Sequence, residues 1–110
     1  MSKSIVVQDK YSGYCLICGK PTTTMHHCIE GTGNRRISDR EKLIVPLCDY
    51  HHNMSNMSVH HNEEMRTLMH IIGQYAWMFN FLAEQNQVPF YDFREDAIEN
   101  FRKVFGKSYI

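Results

Sequence analysis

The order of thiols and imidazoles constrains this chain more than any other feature. Cys15 and Cys18 form "CLICG", His26 and His27 stand together before Cys28, and Cys48 and His51 repeat the two-residue gap. The stretch from Pro46 to Asn62, "PLCDYHHNMSNMSVHHN", carries one cysteine and four histidines in two doublets. Two ligand pairs, each spaced by two residues and far apart in sequence, form a zinc-ribbon-like clip. Zinc takes four soft or borderline ligands in a tetrahedron, and Cys15, Cys18, Cys48 and His51 fit that shape. Four good ligands fill a structural site and leave no open position for catalysis. Gly19 suits a tight knuckle that turns backbone amides toward thiolates. Cys28 is the spare cysteine, expected on a strand with its thiol in the core.

The chain has 110 residues, enough for one domain with a modest core that a structural metal would support. No run reaches the roughly 18–20 apolar residues that span a membrane, and "MSKSIVVQDK" has no signal-peptide core. The expectation is a cytoplasmic protein without membrane contact, whose thiols stay free or bind metal. The same CxxC occurs in redox motifs, but no βαβ pattern accompanies it. Twelve basic and twelve acidic residues cancel, so any nucleic-acid surface must come from local clustering.

Composition divides the chain into an N-terminal arm (1–13), a Cys/His-rich core (14–62) and a helical extension (63–110). "TTTMHHCI" (Thr22–Ile29) and "KLIVPL" (Lys42–Leu47) have strand composition, with Pro46 at an edge or an end. The glycine-bearing, charged stretch between them reads as a loop. A short helix is expected from Asp49, with Asp49 as its N-cap. Met65, Leu68, Met69, Ile72, Tyr75, Ala76, Phe79 and Leu82 recur at helical spacing, with Asn62 as N-cap, so this stripe is expected to face the core. "NQVP" ends that helix. Asp92 and Glu95 look like a capping box for a last helix through Ile98, Phe101 and Phe105, closed by Gly106. His70 reads as a surface or packing residue.

The remaining histidines need their own explanation. A doublet on a strand sends its rings to opposite faces. One ring can bind a metal while the other, with an unperturbed pKa near 6.5, takes a proton.

In this order, "CLICG…MHHCIEGTGNRRIS…LIVPLCDYHHNMSNMSVHHN" and the terminal "VFGKSYI" resemble the HNH endonucleases, also called ββα-metal or His-Me finger nucleases. The likeness is greatest to small HNH proteins of phages and prophages and spans about residues 14–110. It implies an α+β fold, a zinc-stabilised ββα-metal core with C-terminal α-helices. It implies His27 as general base, His26 and His52 as metal ligands, and one divalent cation at the scissile phosphate and leaving oxygen. The usual family spacing puts the third ligand at Asn56, whereas the phage-type proteins place a histidine later, His60 here. His60 is the preferred third ligand and Asn56 the alternate; His61 is expected to be exposed. Nitrogen and oxygen ligands suit Mg2+, Mn2+, Ni2+ or Zn2+. Arg35 and Arg36, with forked guanidinium groups, are expected to contact phosphate, ahead of Arg40 and Lys42.

Function therefore reads as metal-dependent hydrolysis of DNA, in host cytoplasm if the chain is phage-encoded, with a second copy or a phage or host protein as further partner. The alternative is a catalytically silent zinc module that binds nucleic acid or protein. A disulfide-stapled interaction domain is a third reading, disfavoured without a signal peptide.

Overall fold

The computed structural model describes residues 4–31, 33–87 and 90–110. Its sheet is one antiparallel hairpin of β1 (Met25–His27) and β2 (Ile44–Pro46), with His26 opposite Val45 and His27 opposite Ile44. Backbone bonds continue past both ends, from Cys28 N–H to Leu43 O at 2.9 Å and from Leu47 N–H to Thr24 O at 3.0 Å. The regular strands are thus shorter than the two expected segments but lie within them. Pro46, which has no N–H to give, closes β2.

The connection expected to be a loop contains a helix, α1 (Asn34–Arg40). Its inward anchor is polar. Ser38 is fully buried, donates through Oγ to Ile29 O at 2.7 Å and accepts from Ile29 N–H at 3.3 Å. A two-turn helix held by a serine shows no apolar period, so the charged residues around it mask it. Lys42 then adopts a left-handed φ of 63° to turn the chain into β2.

After β2 a wide π-type turn (Tyr50–Met54) begins where the short helix was expected. Asp49 does not cap it: its backbone is already helical and its side chain makes no cap bond. The long helix α2 (Glu63–Glu84) starts as expected, Asn62 accepting from Met65 N–H at 3.0 Å. It ends at Glu84, before the "NQVP" break, of which Val88 and Pro89 lie outside the described residues. A 3-10 turn (Phe90–Phe93) leads into α3 (Arg94–Phe105), which Gly106 closes at a left-handed φ of 88°. The expected capping box is absent. Asp92 belongs to the 3-10 turn, and no side chain caps the start of α3.

The buried face of α2 is rotated from the expected stripe. Met69, Gly73, Gln74, Trp77, Met78 and Leu82 face inward, while Leu68 is 42% exposed and Phe79 54%. Apolar residues cover much of this helix, so spacing alone leaves its inward line open. Gly73 decides it, since a Cβ there would lie 2.7 Å from Cys28 Cβ. Helix and hairpin touch at that point. Cys28, Ile29, Leu43, Val45 and Leu47 of the hairpin region share one core with Met69, Met78 and Leu82 of α2 and Ala97, Ile98, Phe101 and Phe105 of α3. Ile5 of the N-terminal arm also packs on this core and donates its N–H to Lys42 O at 3.1 Å. Among the described residues no helix is long and apolar enough to cross a membrane.

Candidate metal centres

Two clusters of metal-binding side chains form beside the hairpin. The first contains Cys15, Cys18, Cys48 and His51, one ligand atom from each lying within 4.8 Å of all the others. The local chain explains the grouping. Gly19, at φ 78°, returns its N–H to Cys15 O at 2.8 Å and closes a knuckle. Leu16 N–H bonds Pro46 O at 2.9 Å, which sets that knuckle against the end of β2 and so beside Cys48. His51 folds back through its N–H to Cys48 O at 3.1 Å. Cys18 and Cys48 Sγ are 3.7 Å apart, and His51 Nδ1 is 3.3 Å from Cys48 Sγ and 3.7 Å from Cys15 Sγ. A tetrahedron with Zn–S of about 2.3 Å puts sulfurs roughly 3.8 Å apart, so this Cys3His set fits a structural zinc.

The thiols differ electrostatically. Burial raises the Cys15 thiol, but backbone amides of Cys48, Cys18 and Ile17 and the Cys48 thiol outweigh it and bring it down to about 6. The Lys20 amide lowers Cys18, yet desolvation and the sulfurs of Cys48 and Cys15 leave it above its usual value. Cys28 stands apart: it is fully buried, and burial pushes its thiol up to about 12. Its place is in the core, as the sequence suggested.

The second cluster contains His26, His52 and His60. His26 and His52 come from β1 and the π-type turn. His60 reaches them because the chain doubles back: Val59 N–H bonds His51 O at 2.8 Å, and His60 N–H bonds His52 O at 3.2 Å. Val59, fully buried, anchors that return. The Nε2 atoms of His52 and His60 are 3.0 Å apart, the span of two adjacent ligands on one cation with bonds of about 2.1 Å. The His26 ring centre is 5.5 Å from each of theirs. Burial, then the neighbouring His52, His60, His27 and His70, push His26 down to about 3. Burial and His60 lower His52 too, against a raising effect of Asp49. Neutral imidazole is the form that ligates metal, so the chemistry of this donor set fits a divalent cation.

His26 is 3% exposed, while His27 is half-buried with Nε2 3.7 Å from Asp39 Oδ1. The strand thus separates the doublet as its geometry requires. A cleft of about 350 Å3 is lined by His26, His27, His52, His60, Glu30 and Arg35, among others. A neighbouring cavity of about 380 Å3 takes His27 and Asp39 as walls. Arg36 is exposed on α1 but does not line the cleft, and Arg40 pairs instead with Glu41 at 3.2 Å. Asn56 is exposed, and its backbone carbonyl accepts from Asn62 Nδ2 at 3.1 Å. His61 is exposed.

Two carboxylates beside the histidines, Glu30 in the cleft and Asp39 in the neighbouring cavity, are not singled out by the sequence pattern. Asp39 read only as part of the charged stretch between the strands. Glu30 read only as part of that stretch, yet it lies 3.7 Å from His26 Nε2 and 3.3 Å from His70 Nε2. Its position four residues after His26 was the available signal. No protein-family model, curated protein or solved structure matches the chain.

Proposed function

We propose that the chain is a metal-dependent endonuclease of the HNH type that hydrolyses DNA phosphodiester bonds. One observation carries the reading. Three histidines from separate segments converge on one cleft, His27 stands on its wall, and a separate Cys3His cluster gathers beside it. A silent zinc module would need the Cys3His cluster alone and gains nothing from three further histidines gathered at a cleft.

In this reading His26, His52 and His60 hold the cation, and the four-ligand cluster holds structural zinc. The bound cation supplies Lewis acidity at the scissile phosphate and charge stabilisation at the leaving oxygen. His27 accepts the proton of the attacking water. Asp39, 3.7 Å from its Nε2, steadies the ring. Arg35 on the cleft wall contacts a phosphate of the bound strand; Arg36, exposed on the same helix, contacts the backbone further out. The zero net charge implies modest intrinsic DNA affinity, which a second copy or a phage or host protein would supplement.

Supercoiled plasmid incubated with the zinc-loaded protein should be nicked or cut when Mg2+, Mn2+, Ni2+ or additional Zn2+ is added, and not without it. Absence of cleavage across that series, with both clusters intact, would leave the silent zinc module as the better account.

A further inference from the structure

Glu30 is anchored on one side and unsatisfied on the other. Its Oε1 lies 3.3 Å from His70 Nε2 and 3.9 Å from Arg66 Nε, both on α2. Its Oε2 is buried without a hydrogen-bond partner, and so is His26 Nε2. These two orphaned atoms are 3.7 Å apart. Buried polar groups are almost always paired, and a shift of under about 1 Å would make this an N–H···O bond of ordinary length. The contact of Gly73 with Cys28 fixes where α2 crosses the hairpin, with His70 and Arg66 on the preceding turns. Arg66 also donates to Val59 O at 3.3 Å, beside His60. One helix therefore braces both the carboxylate next to His26 and the loop that delivers His60.

We propose that Glu30 is a positioning residue for the metal centre: it accepts a hydrogen bond from His26 Nε2, fixing the tautomer in which Nδ1 of His26 faces the cation. The inference rests on the reading that His26, His52 and His60 bind a divalent cation. A carboxylate on the far nitrogen of a ligating imidazole orients the ring and raises its basicity, and loss of such a partner weakens metal binding roughly 10–100-fold. His70 and Arg66 keep the carboxylate aimed.

Two measurements on the zinc-loaded chain decide it, neither requiring cleavage. Long-range proton–nitrogen correlation of the wild type should show His26 protonated at Nε2. Titration with Mn2+ should show a dissociation constant roughly 10–100-fold weaker for Glu30→Gln, with zinc content and melting temperature unchanged, and an intermediate value for Glu30→Asp. A His26 protonated at Nδ1, or a Glu30→Gln constant within about twofold of wild type, overturns the role; a wild type that takes up no Mn2+ overturns it together with the metal centre. A wild type that binds Mn2+ as described yet cuts no DNA overturns only the nuclease reading.

Discussion

His51 and His52 are adjacent in sequence and belong to different clusters. The wide turn that carries them sends His51 back to the Cys18–Cys48 pair and His52 toward His60. His51→Ala should lose zinc and lower the melting temperature markedly, because a structural zinc contributes folding free energy directly. His52→Ala should keep zinc content and melting temperature near wild type; equal losses in both variants would mean a single centre. Cys28 makes a different case. Fully buried, with its thiol pushed up to about 12, it should resist iodoacetamide in the native protein and react only on unfolding. The residues of the two clusters were legible because metal chemistry accepts few side-chain types, so spacing suggests which of them group. Glu30 and Asp39 were not, since a carboxylate's role depends on what folds beside it.

At the level of elements, α2 shows where periodicity stops being informative. Its existence, start and end follow from Asn62, Glu63 and the spacing of its apolar residues. Its inward face depends on Gly73 and Gln74, which hydropathy does not mark as core. Alanine in a helix is usually better than glycine by up to about 1 kcal/mol. At Gly73 the added Cβ would meet Cys28 Cβ at 2.7 Å, and overpacking of this kind costs about 1–3 kcal/mol. Gly73→Ala should therefore lower the denaturant midpoint. Leu68→Ala, at a 42% exposed position, should change stability by no more than about 0.5 kcal/mol. The reverse order would restore the face expected from spacing. α1 was hidden for a related reason: its buried anchor is the hydroxyl of Ser38, bonded to Ile29 rather than packed as a hydrophobe.

At the scale of the molecule, the described residues form an α+β architecture of one hairpin and three α-helices, on which the C-terminal tail packs. Buried Gln74 donates to Ser108 Oγ at 2.8 Å and accepts from Tyr109 N–H at 2.6 Å, and the Tyr109 ring packs on His70 at 4.6 Å. Truncation after Lys107 removes the Ser108 and Tyr109 partners of a fully buried amide, leaving it only the weak Met78 Sδ acceptor at 3.6 Å, and should cost about 1–3 kcal/mol, read as a lower unfolding midpoint. The tail thereby supports the helix whose Arg66 and His70 meet Val59 O and Glu30 beside the three-histidine cluster. Plasmid cleavage by zinc-loaded wild type, His27→Ala and His52→Ala, with a divalent cation added, tests the central proposal most directly. The account predicts that all three retain zinc and fold, that His52→Ala loses cleavage, and that His27→Ala falls by roughly 10²–10⁴ or more in rate. Cleavage by folded His27→Ala at the wild-type rate would contradict it.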